Sequence, residues 1–303
     1  MSAPLLRLLL EVLPCLLLGV LLEWRWPKLS RRLSPPLIRY GVPLSVLGML
    51  LRSGLERSMF WAGLLALVGI GAGLALLRWL PGVRQLLPLP ALRLGAVAGN
   101  TAYFGFPVVM ALLPPAAMGT AVAYDLAATL LIWGLGPALL TGERLQGRPL
   151  VRALAHSPAS RALVLALLVG LTPWSQQLGA LLVVPARLVL LLALTILGIH
   201  LGPLLRQPPG ERVNPLRLWP ALTIKLLLFP AAMLALSLLT PMPALARQAV
   251  VLQAAAPTAL AVLLLNEASS ANDEGSSPRA AALVLWSTAI ALGSVPLWRL
   301  LLG

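Results

Sequence analysis

The chain has 303 residues, of which 59% are Ala, Val, Ile, Leu, Met, Phe, Trp, Tyr or Cys and only 11% are charged, and its mean hydropathy is +0.91. Soluble domains carry roughly 25% charged residues, so this composition excludes an ordinary soluble enzyme or binding domain. The formal net charge of +14 comes without any aromatic-interleaved basic stretch, which argues against nucleic acid as a partner and for Lys and Arg placed beside anionic lipid.

A helix needs about 20 mainly apolar residues to cross the hydrocarbon core. Runs of this kind predict ten spans, at 4–23, 35–52, 58–80, 91–113, 116–140, 159–173, 179–204, 215–239, 243–266 and 279–302. The first contains Cys15, the single cysteine, so no intramolecular disulfide can form. Val12, Leu13 and Pro14 before it are not the small residues of a lipoprotein cleavage site, and the apolar run continues through Leu22, so it reads as a spanning helix. Most runs contain proline, including Pro14, Pro43, Pro107, Pro137, Pro230 and Pro257, which membrane helices tolerate because neighbours satisfy the freed backbone groups. Trp24, Trp26, Trp61, Trp79, Trp174, Trp219 and Trp298 fall near the proposed ends, as an interfacial belt does, while Trp133 and Trp286 sit deeper.

Of the 23 Lys and Arg residues, fifteen lie on odd-numbered loops and five on even loops and tails, the other three being inside spans. The excess on odd loops predicts that these loops are cytoplasmic and that both termini are outside. The acidic loop 268–277 counts little in this rule. A polar linker at 141–158, with Glu143, Arg144, Arg148, Arg152 and His156, divides the spans five and five. Residues 1–140 and 159–303 would then be two five-helix repeats on either side of a cytoplasmic linker. They are inverted relative to each other because five is odd, a common plan for secondary transporters.

The fourth span of each half stands out. One reads Gly95-Ala-Val-Ala-Gly-Asn-Thr-Ala-Tyr-Phe-Gly-Phe-Pro107, the other Gln253-Ala-Ala-Ala-Pro-Thr-Ala-Leu-Ala261. Both combine proline, an amide side chain and small neighbours. This predicts two broken helices that cross near the midplane, with carbonyls and amides freed toward a cavity and helix N-termini able to hold an anion. The candidate substrate-binding residues are Asn100, Thr101, Tyr103, Gly105, Pro107, Gln253, Pro257 and Thr258. Gln253 lies four residues before Pro257 and Asn100 seven before Pro107, so the two segments differ in detail.

Four segments carry a resemblance to the auxin efflux carrier family, which includes plant PIN carriers and bacterial malate and malonate permease-like proteins. They are Gly99-Asn-Thr-Ala-Tyr-Phe-Gly-Phe-Pro107, Ala123-Tyr-Asp-Leu126, Ala254-Ala-Ala-Pro-Thr-Ala259, and Trp286-Ser-Thr-Ala with Pro296. The resemblance implies an all-α membrane protein with the bile-acid-symporter-like fold. In that fold helices 1, 2, 6 and 7 form a scaffold, and the other six form a core with crossed, broken helices 4 and 9. The short central loop resembles a bacterial-type permease, which implies the bacterial inner (plasma) membrane.

Asp125 and Lys225 are the embedded charges of most interest, since a charge at a helix centre costs about 2.5–3.5 kcal/mol on insertion scales. Asp125 could couple a proton and Lys225 could neutralise an anionic substrate, or the two could simply pair. Glu11, Arg39 and Arg187 lie nearer span ends or can snorkel. One Cys and two His, His156 and His200, provide no metal-site spacing, and no cofactor is expected.

An intramembrane hydrolase is the rival of a different class, since Tyr124-Asp125 is similar to one half of an intramembrane aspartyl protease site. No GxGD, GxSxG or HExxH segment accompanies it, and Asp125 has no second aspartate inside a span. A passive channel or a receptor-like membrane protein is the nearer alternative. The expected function is a permease carrying a small organic anion by alternating access. Its partners would be that anion and the bilayer, with a homodimer as an open option.

Overall fold

The computed structural model describes residues 3–27, 29–54, 56–142, 158–208, 213–269 and 276–303. The expected linker charges and most of the acidic loop lie outside the described residues. Those described are all-helical. In chain order the helices are α1 (Ala3–Arg25), α2 (Leu29–Pro36), α3 (Val42–Ser53), α4 (Arg57–Trp79), α5 (Pro81–Leu86), α6 (Pro90–Gly95), α7 (Phe106–Leu112) and α8 (Ala117–Thr141). After the linker come α9 (Pro158–Gly170), α10 (Ser175–Arg206), α11 (Trp219–Thr223), α12 (Phe229–Leu238), α13 (Ala244–Ala254), α14 (Leu260–Ser269) and α15 (Ser276–Leu301).

Helix occupies each of the ten predicted runs, with differences at the ends. Five helical stretches are long and apolar enough to cross a membrane by themselves: Arg57–Trp79, Ala117–Thr141, Ser175–Arg206, Trp219–Leu238 and Ser276–Leu301. Large apolar side chains such as Phe60, Leu181 and Leu239 lie on the outer surface with more than 60% of their area exposed, which fits a membrane protein. The second run begins earlier than expected, because helix continues through Pro35 and Pro36 back to Leu29. The short α5 was not expected at all; it lies in the loop after α4.

Three turns are widened to π geometry, at Leu37–Gly41, Thr101–Gly105 and Ile224–Leu228. Each ends two residues before a proline, Pro43, Pro107 and Pro230. The reason is local. A proline ring collides with the carbonyl four residues earlier and supplies no N–H, and widening the preceding turn relieves both problems without ending the helix.

α1, α3, α9 and α10 pack together as one group, with α10 against both α1 and α3 and α9 against α3. The α1–α10 crossing is a backbone contact. A Cβ on Gly19 would lie 2.0 Å from the Thr195 carbonyl oxygen, and one on Gly198 would lie 2.1 Å from that of Leu16. Without a hydrophobic drive between helices in lipid, such small-residue contacts provide the close packing that holds them. Glu11 of α1 and Arg187 of α10 form an ion pair across the same interface. α4 packs on α8, and α13 on both α8 and α12. Two large apolar clusters, one centred on each group, make up most of the core, with α8, α13 and α15 contributing to both.

Candidate functional site

Two of the ten predicted runs are broken, and the breaks meet. α6 stops at Gly95 and helix resumes at Thr101; α13 stops at Ala254 and helix resumes at Leu260. Each break leaves its helix through a turn, and Gly99 and Thr258 then pair as an antiparallel bridge. The Asn100 amide donates to the Pro257 carbonyl at 2.7 Å, and the Ala259 amide donates to the Ala98 carbonyl at 2.9 Å. Each break thereby supplies the other with the partners that a continuous helix would have provided. Inside a membrane such irregular backbone is tolerated only where protein or water satisfies it.

Side chains complete the crossing. Thr258 donates through Oγ1 to the Gly95 carbonyl at 3.0 Å, and its own amide donates to Ser287 Oγ of α15, also at 3.0 Å. Asn100 accepts the Tyr103 amide through Oδ1 at 3.3 Å, capping the π turn that follows. The first of the helix N-termini expected to hold an anion is therefore already capped by the chain. Asn100 Nδ2 is buried and has no hydrogen-bond partner.

Lys225 projects from the π turn at Ile224–Leu228 into this crossing. Its side chain is fully buried, and Nζ donates to the Ala254 carbonyl at 2.8 Å, one of the groups released where α13 ends. Nζ also lies 5.0 Å from the centre of the Phe229 ring, a cation–π distance. Gly99 leaves it room, since a Cβ there would stand 3.2 Å from Nζ. A lysine ammonium has three donors; among the described residues Lys225 makes this one hydrogen bond.

Asp125 is equally buried on α8, where Oδ1 accepts from Thr101 Oγ1 at 2.5 Å. Asp125 and Lys225 do not form an ion pair, which removes the pairing that the sequence left open. Their partners are local instead. The broken helices offer a free carbonyl to one and a hydroxyl to the other.

Gln253 donates through Nε2 to the Ala121 carbonyl of α8 at 3.2 Å, while its Oε1 is buried without a partner. That amide rests directly on Gly105, where a Cβ would lie 1.9 Å from Oε1. Gly105 is thus a contact surface for Gln253.

Most of the expected residues therefore gather at one place: Asn100, Thr101, Gly105, Gln253, Pro257 and Thr258, joined by Asp125 and Lys225. Two are placed differently. Pro107 is buried in the apolar core as the second residue of α7, where its missing N–H suits a helix start; the break lies upstream of it, at 96–100. The Tyr103 side chain is half-buried, packs on apolar residues and lies close enough to feel the charge of Asp125, while its amide is held by Asn100.

The sequence reading missed Ser287 as a partner of the crossing, and also the Ala254 carbonyl and the Phe229 ring as the surroundings of Lys225. Ser287 was visible only as part of a family-like segment. Nothing local marks it as the partner of a residue 29 positions earlier.

No protein-family model matches the chain, and no curated protein matches it.

Proposed function

We propose that this protein is a secondary transporter that carries a small organic anion by alternating access. One observation carries the reading: the Lys225 amine is fully buried with no carboxylate partner, set where two broken helices cross. Burying a charge without its counter-charge is costly, and an anionic substrate supplies the missing charge. The unpartnered Asn100 Nδ2 adds a donor and Gln253 Oε1 an acceptor. Asn100, Thr101, Lys225, Gln253 and Thr258 are each less than 5% exposed, so the site is closed in this conformation. Passage then needs a rearrangement, which favours a carrier over an open pore.

The proposal includes ten spans in two inverted five-helix repeats, with both termini outside a bacterial plasma membrane. It is supported by the position of the broken span, fourth in each half, and by the fifteen-to-five distribution of basic residues. The grouping of α1, α3, α9 and α10 apart from the crossing supports a scaffold and a core of the bile-acid-symporter type, and with the quoted segments it supports a likeness to the auxin efflux carriers. Reporter fusions after Gly303 and within 143–157 test the topology. An extracytoplasmic signal from the first and a cytoplasmic signal from the second are expected; the reverse would reject it.

In proteoliposomes, uptake of the transported anion is expected to saturate with concentration. Asp125 is the group placed to take up a proton: it is buried, hydrogen-bonded to Thr101 on the crossing segment, and not committed to a cation. Asp125→Asn should therefore abolish the dependence of uptake on a pH gradient while leaving exchange down the anion's own gradient largely intact. The Asn side chain keeps an oxygen to accept from Thr101, so the variant should remain folded. Unchanged pH dependence in the folded variant would remove Asp125 from coupling.

A further inference from the structure

A second basic site lies away from the crossing, where α4 ends and α6 begins. A cleft of about 500 Å³ opens there between the last turn of α4, the short α5, the start of α6 and the end of α8. Arg78, Arg84 and Arg93 line it, with Trp79, Leu139 and Leu140. No described lining residue is acidic. Arg78 and Arg84 are the charges that act on Arg93, and both repel it. The one side-chain hydrogen bond found among the three guanidinium groups runs from Arg93 Nη2 to the Pro88 carbonyl at 3.4 Å, which leaves donors to spare. Three like charges drawn into one cleft are held at a cost that an anion relieves, and guanidinium forks match phosphate oxygens geometrically.

The rim of the cleft distinguishes one kind of anion from another. Trp79 is 70% exposed beside it, and Leu76, Leu80 and Leu86 are exposed on the same helix ends. Exposed Trp and Leu next to clustered arginines form the pattern of a membrane–water interface, with a place for acyl chains below and for a charged headgroup above. We infer that this cleft binds the phosphate of an anionic phospholipid, with Arg78, Arg84 and Arg93 as its ligands. The site is separate from the crossing and does not depend on the chain being a transporter.

The test is retention of lipid by the purified full-length protein in detergent, read by native mass spectrometry and by thermal unfolding. Phosphatidylglycerol is titrated against phosphatidylcholine and, in a third arm, against inorganic phosphate alone. The wild type should retain phosphatidylglycerol and gain thermal stability from it, with little response to the other two. Each Arg→Gln change should weaken retention about fivefold, and the triple variant R78Q/R84Q/R93Q roughly a hundredfold. R52Q/R57Q, made near the end of α3 and at the opposite end of α4 from the cleft, should retain lipid as the wild type does. Arg84 is exposed, so Arg84→Gln alone serves if the triple variant fails to fold, and its fivefold loss is the expected result. Undiminished retention in R84Q or the triple variant, or equal retention of phosphatidylcholine, would overturn the proposal. Equal stabilisation by inorganic phosphate would overturn the lipid as the source. None of these readouts involves transport, so the outcome is independent of the carrier proposal.

Discussion

Replacing Lys225 with Met is expected to abolish uptake of the transported anion while leaving the protein at least as stable as the wild type. The two effects have opposite signs for one reason. The Lys225 amine is buried without a carboxylate partner, so keeping a charge there is costly to the empty protein, and Met fills nearly the same volume without that cost. The Ala254 carbonyl loses its donor, and this offsets part of the gain by about 1 kcal/mol. Against an anion at about 4 Å, the lost attraction is about 4 kcal/mol at an effective dielectric constant near 20, and a loss of uptake of about 100-fold or more follows. Lys225→Arg keeps the charge but lengthens a side chain that has Gly99 and Phe229 against it, so it should recover little. Uptake by K225M within a few-fold of the wild type would eliminate Lys225 as the anion's partner. A sharp drop in thermal stability would show that it mainly holds the α13 terminus.

The second large effect is expected far from the crossing. Gly198→Val should prevent α1 and α10 from packing and cost about 3 kcal/mol or more. Its Cβ would meet the Leu16 carbonyl oxygen at 2.1 Å and Gly19 Cα at 3.1 Å. These are backbone atoms of a helix, which cannot swing aside as a side-chain end does. The complementary contact at Gly19, 2.0 Å from the Thr195 oxygen, shows that both faces of the crossing depend on a missing side chain. Gly293→Ala on α15 is the control, because a Cβ there meets nothing within 4 Å; exchanging Gly for Ala inside a helix should be neutral or stabilise by up to about 1 kcal/mol. Thermal unfolding of the detergent-purified variants measures both. A G198V protein as stable as G293A would mean that α1 and α10 do not pack at this point.

The positions of the helices were legible because one physical requirement, a run of about 20 apolar residues, leaves a pattern that no local detail hides. The crossing was partly legible. Asn100 and Gln253 are amides in apolar runs, and such groups need a protein partner or water wherever they sit. Pro257 lies within its break as expected, but Pro107 does not. A proline early in a half-helix and a proline in a break look alike in sequence, and only the pairing of 98–100 with 257–259 tells them apart. That pairing is long-range, as are the Glu11–Arg187 ion pair and the contact of Gln253 with Gly105, so periodicity could not reveal them. The Asp125–Lys225 pairing left open by the sequence rested on scarcity of charge. Each has a hydrogen-bond partner of its own instead, the Thr101 hydroxyl for Asp125 and the Ala254 carbonyl for Lys225.

The bridge between the two breaks also bears on how the chain can be assembled. Ala98 and Asn100 find their backbone partners at Ala259 and Pro257, which leave the ribosome some 160 residues later. Until then, the first break has polar groups that its own half cannot pair, and hydrocarbon is a poor place for them to wait. If the fourth run spans a membrane as proposed, it cannot complete its final form during its own synthesis. It must be held by water, by the insertion machinery or by neighbouring helices until the ninth arrives. On the proposed topology, biogenesis divides into an early insertion of continuous helices and a late closure in which both broken ones settle together.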